Sequence, residues 1–369
     1  MAKRTGSSEA KTAVRPPAEV IYEEELAQLA RADEDPRPPG WCLSMTAVRR
    51  FVLGDERAGI RRKFVGHPSL VDRAMVSLAT DRGLMLVGEP GTAKSLLSEL
   101  LAAAVSGDST LTIQGGAATT EDQIKYGWNY ALLVSEGPST RALVPAPIYR
   151  GMNEGKLVRF EEITRCPLEV QDSLLAVLSD RALAIPELES GDALLLAREG
   201  FNVIATANTR DRGVNEMSTA LKRRFNFETV FPIPDFETEM ALVRDEAARL
   251  LARSGVPLEV PDEVLEVLVT TFRDLRGRAS STGEGADRLN AIMSTAEAVG
   301  VAHAVGVRGW YVRRGAARPA DLVECLAGTA AKDDADDLRR VRRYLEQRVK
   351  ARRGAHWEEF YQARHALPE

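Results

Sequence analysis

Leu84-Met85-Leu86-Val87-Gly88-Glu89-Pro90-Gly91-Thr92-Ala93-Lys94-Ser95 is the stretch on which the reading of the chain turns. Its four leading apolar residues predict a short buried strand, which a Gly/Pro turn ends. Leu96 to Val105 then predicts a helix with Leu96, Leu97, Leu100 and Leu101 on one face. Strand, glycine loop, Lys-Ser pair and helix, in that order, make a phosphate loop. Backbone N–H groups of such a loop and the positive end of the helix form a cavity suited to polyphosphate. Gly88 and Gly91 let the backbone approach phosphates without an intervening Cβ. Lys94 is placed to reach the β- and γ-phosphates of a nucleotide, and Ser95 to hold Mg²⁺. Ala93 stands where a glycine is usual. Gly88, Glu89, Pro90, Gly91, Thr92, Ala93, Lys94 and Ser95 are therefore the expected nucleotide-binding residues.

Downstream, Leu157-Val158-Arg159-Phe160-Glu161-Glu162 reads as an apolar strand ending in two carboxylates. A phosphate-loop ATPase needs such a pair opposite its loop: Glu161 to support the metal, Glu162 to polarise the attacking water. Most such strands end Asp-Glu, and Arg159 inside the strand is unusual. Phe201 to Asn208 predicts another buried strand, and Asn208 at its end is placed to hold that water. As a lone residue Asn208 is equally a turn former. Leu111 to Gln114 reads as a further strand ending at Gly115-Gly116. Residues 119–150 read as an insertion with turns, whose aromatics either pack beneath it or serve a partner. Ala182 to Leu188 and Ala193 to Leu196 flank a Gly-Asp turn and predict a hairpin.

Met217 to Phe225 predicts a short helix with three bases at its end. They suit the helix dipole, or one projects into a neighbouring subunit's site, with Arg224 the first choice and Arg223 the second. After Phe231-Pro232-Ile233-Pro234 the pattern is almost wholly helical, through about Arg353. There Arg288, at the start of a helix, either closes onto the phosphates or makes a surface ion pair. The basic run from Arg339 to Arg353 reads as a solvated face rather than a nucleic-acid surface. Upstream, Met45 to Ala79 reads as helical with a break at Gly66-His67-Pro68. His67 is a base contact or a structural histidine. Residues 1–40 read as a tail in which Val20 to Ala32 forms one short helix, either docking on a neighbour or, in the reading preferred, part of a mobile arm.

Composition narrows the classes. A hydrophobic fraction of 44% suits a real core, and a net charge of -5 supplies no general attraction to nucleic acid. Cys42, Cys166 and Cys325 are far apart, against a disulfide framework or zinc site and in keeping with a reducing, cytoplasmic location. No apolar run approaches transmembrane length, and no signal-peptide core follows Met1.

Over roughly residues 41 to 330 the motifs resemble the AAA+ ATPases, most closely the MoxR branch. The carrying segments are Gly88–Ser95 as Walker A, Phe160-Glu161-Glu162 as Walker B, Asn208 as first sensor, Leu221-Lys222-Arg223-Arg224-Phe225 as arginine-finger segment and Arg288 as second sensor. Residues 119–150 and the 182–196 hairpin are similar to the helix-2 insert and the pre-sensor-1 hairpin. Replicative MCM helicases and magnesium-chelatase ATPase subunits share much of this. The resemblance implies an α/β core with a five-stranded parallel sheet over residues 41–233, followed over 234–369 by an all-helical lid and a C-terminal helical extension that the resemblance does not cover. It also implies a hexameric ring with ATP between subunits, a chaperone-like remodelling role on a client protein, and a von Willebrand factor A partner. Two other readings are a nucleotide-gated scaffold with weak hydrolysis and a DNA motor like the MCM group.

Overall fold

The computed structural model describes residues 14–189, 191–208, 216–276, 293–330 and 335–368. The chain folds as two compact units. The first runs to Phe231, apart from Pro90–Thr92, and the second begins at Pro232.

Among the described residues of the first unit nine strands form: β1 Gly83–Gly88, β2 Thr112–Gln114, β3 Tyr126–Trp128, β4 Leu143–Pro145, β5 Leu157–Glu161, β6 Ala182–Ala184, β7 Leu194–Leu196, β8 Asn202–Asn208 and β9 Phe225–Val230. Five of them make one sheet in the order β2-β5-β8-β1-β9, each neighbour parallel to the next. Parallel strands with both faces covered are continuous apolar runs; β1 and Val203–Ala205 of β8 have that character, and β5 departs from it only at Arg159 and Glu161. Side chains alternate between faces. Leu84 and Leu86 enter a core with Leu97, Leu100 and Leu101 of the helix Lys94–Ser106. Met85 joins Val158, Phe160, Val203 and Ala205 in a second core. β9 escaped the residue-by-residue reading, because Asn226, Glu228 and Thr229 break its apolar run. It is an edge strand, and the buried Glu228 is held by a two-pronged bond from Arg73, both contacts at 2.7 Å.

Two small antiparallel hairpins stand apart from this sheet, β3 with β4 and β6 with β7. The second is the hairpin expected over 182–196. Tyr126, Trp128 and Tyr149 pack against Leu143, Ile185 and Leu188 in a small core shared by the two insertions. The aromatics Tyr126 and Trp128 therefore take the packing role, while Tyr130 is exposed.

Within the expected tail over residues 1–40, residues 18–32 do not form a free arm. Helices Ala18–Ile21 and Glu23–Ala32 dock on the first core, and Ala18 and Leu29 are each only 2% exposed. Lys63 explains why. Its buried ammonium pairs with Glu25, donates to the carbonyls of Phe51 and Arg61 at 3.0 Å, and lies over the rings of Phe51 and Tyr22. A charge buried there needs that many partners, and they come from both sides of the junction. Asp33 adds a further tie, accepting from the backbone N–H and hydroxyl of Ser44 at 2.8 and 2.5 Å. Leu29→Ala is expected to lower the free energy of unfolding in urea by about 2–3 kcal/mol; on a free arm it would change nothing.

The second unit is helical: Phe236–Arg253, Asp262–Arg276, Thr295–Val307, Asp321–Ala330, Ala335–Gln347 and Ala355–Gln362. Its core includes Val243, Leu265, Phe272, Val301, Leu345 and Phe360. Glu239, 1% exposed, is neutralised by Arg273 and Arg276 at 2.9 and 2.8 Å and accepts from Thr295 Oγ1 at 2.6 Å. In the basic C-terminal run Arg340 pairs with Asp337, Arg352 with Asp274 and Arg339 with Asp336. Arg288 lies outside the described residues.

Candidate functional site

The site gathers at the C-terminal ends of β1, β5 and β8, where open α/β sheets place their ligands. Register brings this about. Gly88 lies beside Asn208, Leu157 beside Asn202, and Phe160 beside Ala205, so Glu161 emerges next to Thr206. The phosphate loop then turns into its helix through Ala93, which sits in the left-handed region at φ 67 and ψ 25. That conformation is why a glycine is usual there, and a Cβ in it costs about 1–2 kcal/mol. Ala93→Gly is expected to raise the free energy of unfolding by up to about 1 kcal/mol, read in urea; no change would mean the loop relaxes around alanine.

Lys94 is buried, and its ammonium donates to the carbonyls of Gly88 at 3.1 Å and Glu89 at 2.8 Å. Ser95, one residue into the helix, donates its hydroxyl proton to Glu161 Oε2 at 2.7 Å. Thr206 donates to the same oxygen at 2.9 Å. The other oxygen, Oε1, accepts from Ser98 at 2.6 Å and from Arg159 at 2.9 Å. Burial alone would push this carboxyl up; the hydroxyls of Ser98 and Ser95, the Arg159 cation and Thr206 together hold it below the usual glutamate range. Glu161 is thus a carboxylate at neutral pH.

Glu162 leaves the strand in a left-handed conformation, φ 55 and ψ 44. Its N–H donates to Thr206 Oγ1 at 2.9 Å, and Asn208 Nδ2 lies 3.5 Å from its Oε1. Arg165 pairs with Oε2 at 3.0 Å. Gly115 closes the floor: its N–H donates to Glu161 O at 2.7 Å, and a Cβ on it would fall 2.3 Å from Glu162 O. The residues brought together are thus Gly88, Glu89, Lys94, Ser95, Glu161, Glu162 and Asn208.

Three expected residues lie elsewhere. His67 is exposed and caps the helix Pro68–Leu78, accepting from Ser69 N at 3.3 Å, with its Nδ1 also 2.7 Å from Ser69 Oγ. The structural alternative for His67 accounts for that contact. Arg223 and Arg224 are exposed after the short helix Thr219–Lys222, and Arg224 Nε donates to Ser179 Oγ at 2.5 Å. Residues that sequence reasoning did not place in the site are Ser98, Thr206, Gly115 and Arg159. Three of them carried a signal: Ser98 is three residues beyond Ser95 on one helix face, and Thr206 and Arg159 stand two residues before Asn208 and Glu161 on their strands.

Comparison with known proteins gives the family. Residues 83–225 match the model of the AAA domain of the dynein-related subfamily. Residues 237–368 match the C-terminal domain of YehL-like AAA+ ATPases. The chain is 67% identical to YehL of Escherichia coli K12 over 354 residues, covering 96% of this chain and 98% of that protein. The chain belongs to the YehL family of AAA+ ATPases. This ATPase is also 28% identical to the chaperone MoxR1 of Mycobacterium tuberculosis over 208 residues, 55% of this chain and 50% of that one. The MoxR-type resemblance holds, and the fold is the AAA+ core with a helical C-terminal domain. NtrX of Brucella abortus superimposes with a TM-score of 0.50 at 12% identity, over 82% of this chain and 64% of that one, a likeness of fold alone. The ATPase is a nucleotide-binding ATP hydrolase. Among the described residues no helix is long and apolar enough to cross a membrane.

Proposed function

We propose that this ATPase hydrolyses Mg²⁺-ATP at a site shared between copies in a ring, and spends the turnover on remodelling a partner protein. The observation that carries the reading is the Ser95–Glu161 contact at 2.7 Å with Glu162 next in the chain. The donor set fits magnesium. Ser95 gives its proton to Glu161 and keeps oxygen lone pairs for a cation, and both residues offer the hard oxygens that ion prefers. The ion, when bound, would neutralise charge on the β- and γ-phosphates.

In this reading the residues Gly88, Glu89, Pro90, Gly91, Thr92 and Ala93 wrap the phosphates and Lys94 binds them. Ser95 and Glu161 hold the metal side, Glu162 takes a proton from the attacking water, and Asn208 orients that water. Arg224, with Arg223 as second choice, acts on a neighbouring copy's nucleotide, and Arg288 acts from the helical unit. A hexameric ring, a client protein and a von Willebrand factor A partner complete the proposal; the chaperone name of MoxR1 supports the remodelling role.

The test is ATP turnover per subunit measured against protein concentration. Turnover that rises with concentration, and falls when Arg224→Ala subunits are mixed in, supports a site completed by a second copy. Turnover per subunit that is flat across the range, with mixing having no effect, would reduce the reading to a hydrolase complete in one chain.

A further inference from the structure

We propose that Arg159 is a positioning residue that fixes Glu161 against the loop helix and so sets how strongly the nucleotide is bound together with Mg²⁺; this rests on the site reading above. A buried strand facing a helix has no use for a cation, since an apolar residue packs there at no desolvation cost. Arg159 is nevertheless 8% exposed in the middle of β5. Its guanidinium touches three elements at once. Nε donates to Ser98 Oγ at 3.0 Å, and Nη1 donates to Ser109 O at 3.1 Å and Thr112 Oγ1 at 3.3 Å. Nη2 donates to Ser95 O at 3.1 Å and Glu161 Oε1 at 2.9 Å.

Those five contacts match the five N–H donors of a guanidinium. The result is a single rigid plane joining β2, the first turn of the loop helix and the Glu161 carboxylate. Glutamate carries one more methylene than the aspartate usual at this place, so its carboxylate has one more rotatable bond to fix. Ser95 and Thr206 hold Oε2, while Arg159 and Ser98 hold Oε1. Without the Arg159 side, the carboxylate can turn about its last bond and leave Ser95. The cation is thus matched to the longer acid: Arg159 stands two residues earlier on the same strand face, where its side chain runs alongside that of Glu161.

Lysine keeps the charge but has three donors and no planar fork. Arg159→Lys therefore separates positioning from neutralisation. The experiment measures the Kd of a fluorescent ATP analogue for the full chain, once with excess MgCl₂ and once with EDTA. Wild type is expected to bind more tightly with Mg²⁺. In Arg159→Lys that ratio should shrink about tenfold, with the EDTA value unchanged. A ratio equal to wild type, or equal losses in both buffers, overturns the proposal, because a merely structural arginine would weaken both alike. Thermal unfolding is followed in parallel. If Arg159→Lys does not fold, Ser98→Ala replaces it, since it removes a donor from Glu161 Oε1 and the acceptor of Arg159 Nε. A smaller ratio then supports the proposal and a wild-type ratio overturns it. Wild-type binding indifferent to Mg²⁺ would instead remove the metal from the site reading itself, and the role of Arg159 with it.

Discussion

Glu162→Gln should leave nucleotide bound and lower ATP turnover at least about 100-fold. The amide has nearly the shape of the acid but cannot accept a proton from water. Its surroundings keep the substitution local. The backbone N–H of residue 162 stays on Thr206 Oγ1 at 2.9 Å, and the left-handed turn at φ 55 is set by the main chain. The Asn208 amide, 3.5 Å from Oε1, still faces an oxygen or an amide of the new side chain. Steady-state turnover at saturating ATP, beside binding of a fluorescent ATP analogue, reads both halves of the expectation. Turnover near wild type would take Glu162 out of the chemistry and return weight to a scaffold that binds ATP without depending on its cleavage.

Lys94→Ala is expected to fail one step earlier. Here binding itself falls, by about 100-fold or more, because a buried cation facing several phosphate charges is lost. Lys94 is held at the loop by the carbonyls of Gly88 and Glu89, at 3.1 and 2.8 Å, so the ammonium is prepositioned rather than recruited from solvent. The pair of variants divides the site: one keeps nucleotide and loses turnover, the other loses nucleotide. The same analogue titration checks it. Wild-type affinity in Lys94→Ala would mean that the phosphates lie away from Gly88–Ser95.

How much of this was legible in the chain depends on how local each cause is. The phosphate loop is legible because its residue types answer a backbone demand within a dozen positions, and even the oddity of Ala93 points to the left-handed turn that it occupies. The carboxylate pair is legible for the same reason. Glu161 and Glu162 sit at the end of an apolar run whose length marks it as a buried strand. Arg159 could be seen to be out of place, but its five partners come from segments more than 40 residues away as well as from its own strand, and no local pattern announces them. The docking of residues 18–33 was hidden likewise, since Lys63 and Phe51 lie outside the segment they anchor. β9 was illegible for the opposite reason. An edge strand tolerates polar residues, so Phe225–Val230 never shows the run that marks β1 or β8. In the second unit, Ala355–Gln362 is short, and only the burial of Trp357 and Phe360 reveals that it closes the core.

The small core between the two insertions has a mechanical consequence. Leu143, Ile185 and Leu188 interlock with Tyr126, Trp128 and Tyr149, and Tyr126 donates to Glu187 at 3.1 Å. Dispersion contacts weaken steeply with even a fraction of an ångström of separation. Neither hairpin can slide past the other without opening a gap in that shared packing. The β3–β4 and β6–β7 hairpins therefore form one stiff lever, with Val134 and Val144 on one insertion and Leu194 and Leu196 on the other as its exposed apolar points. A displacement of one hairpin therefore draws the other with it, and both lead by short connections into the first residues of β5 and β8, at the opposite end of those strands from Glu161 and Asn208.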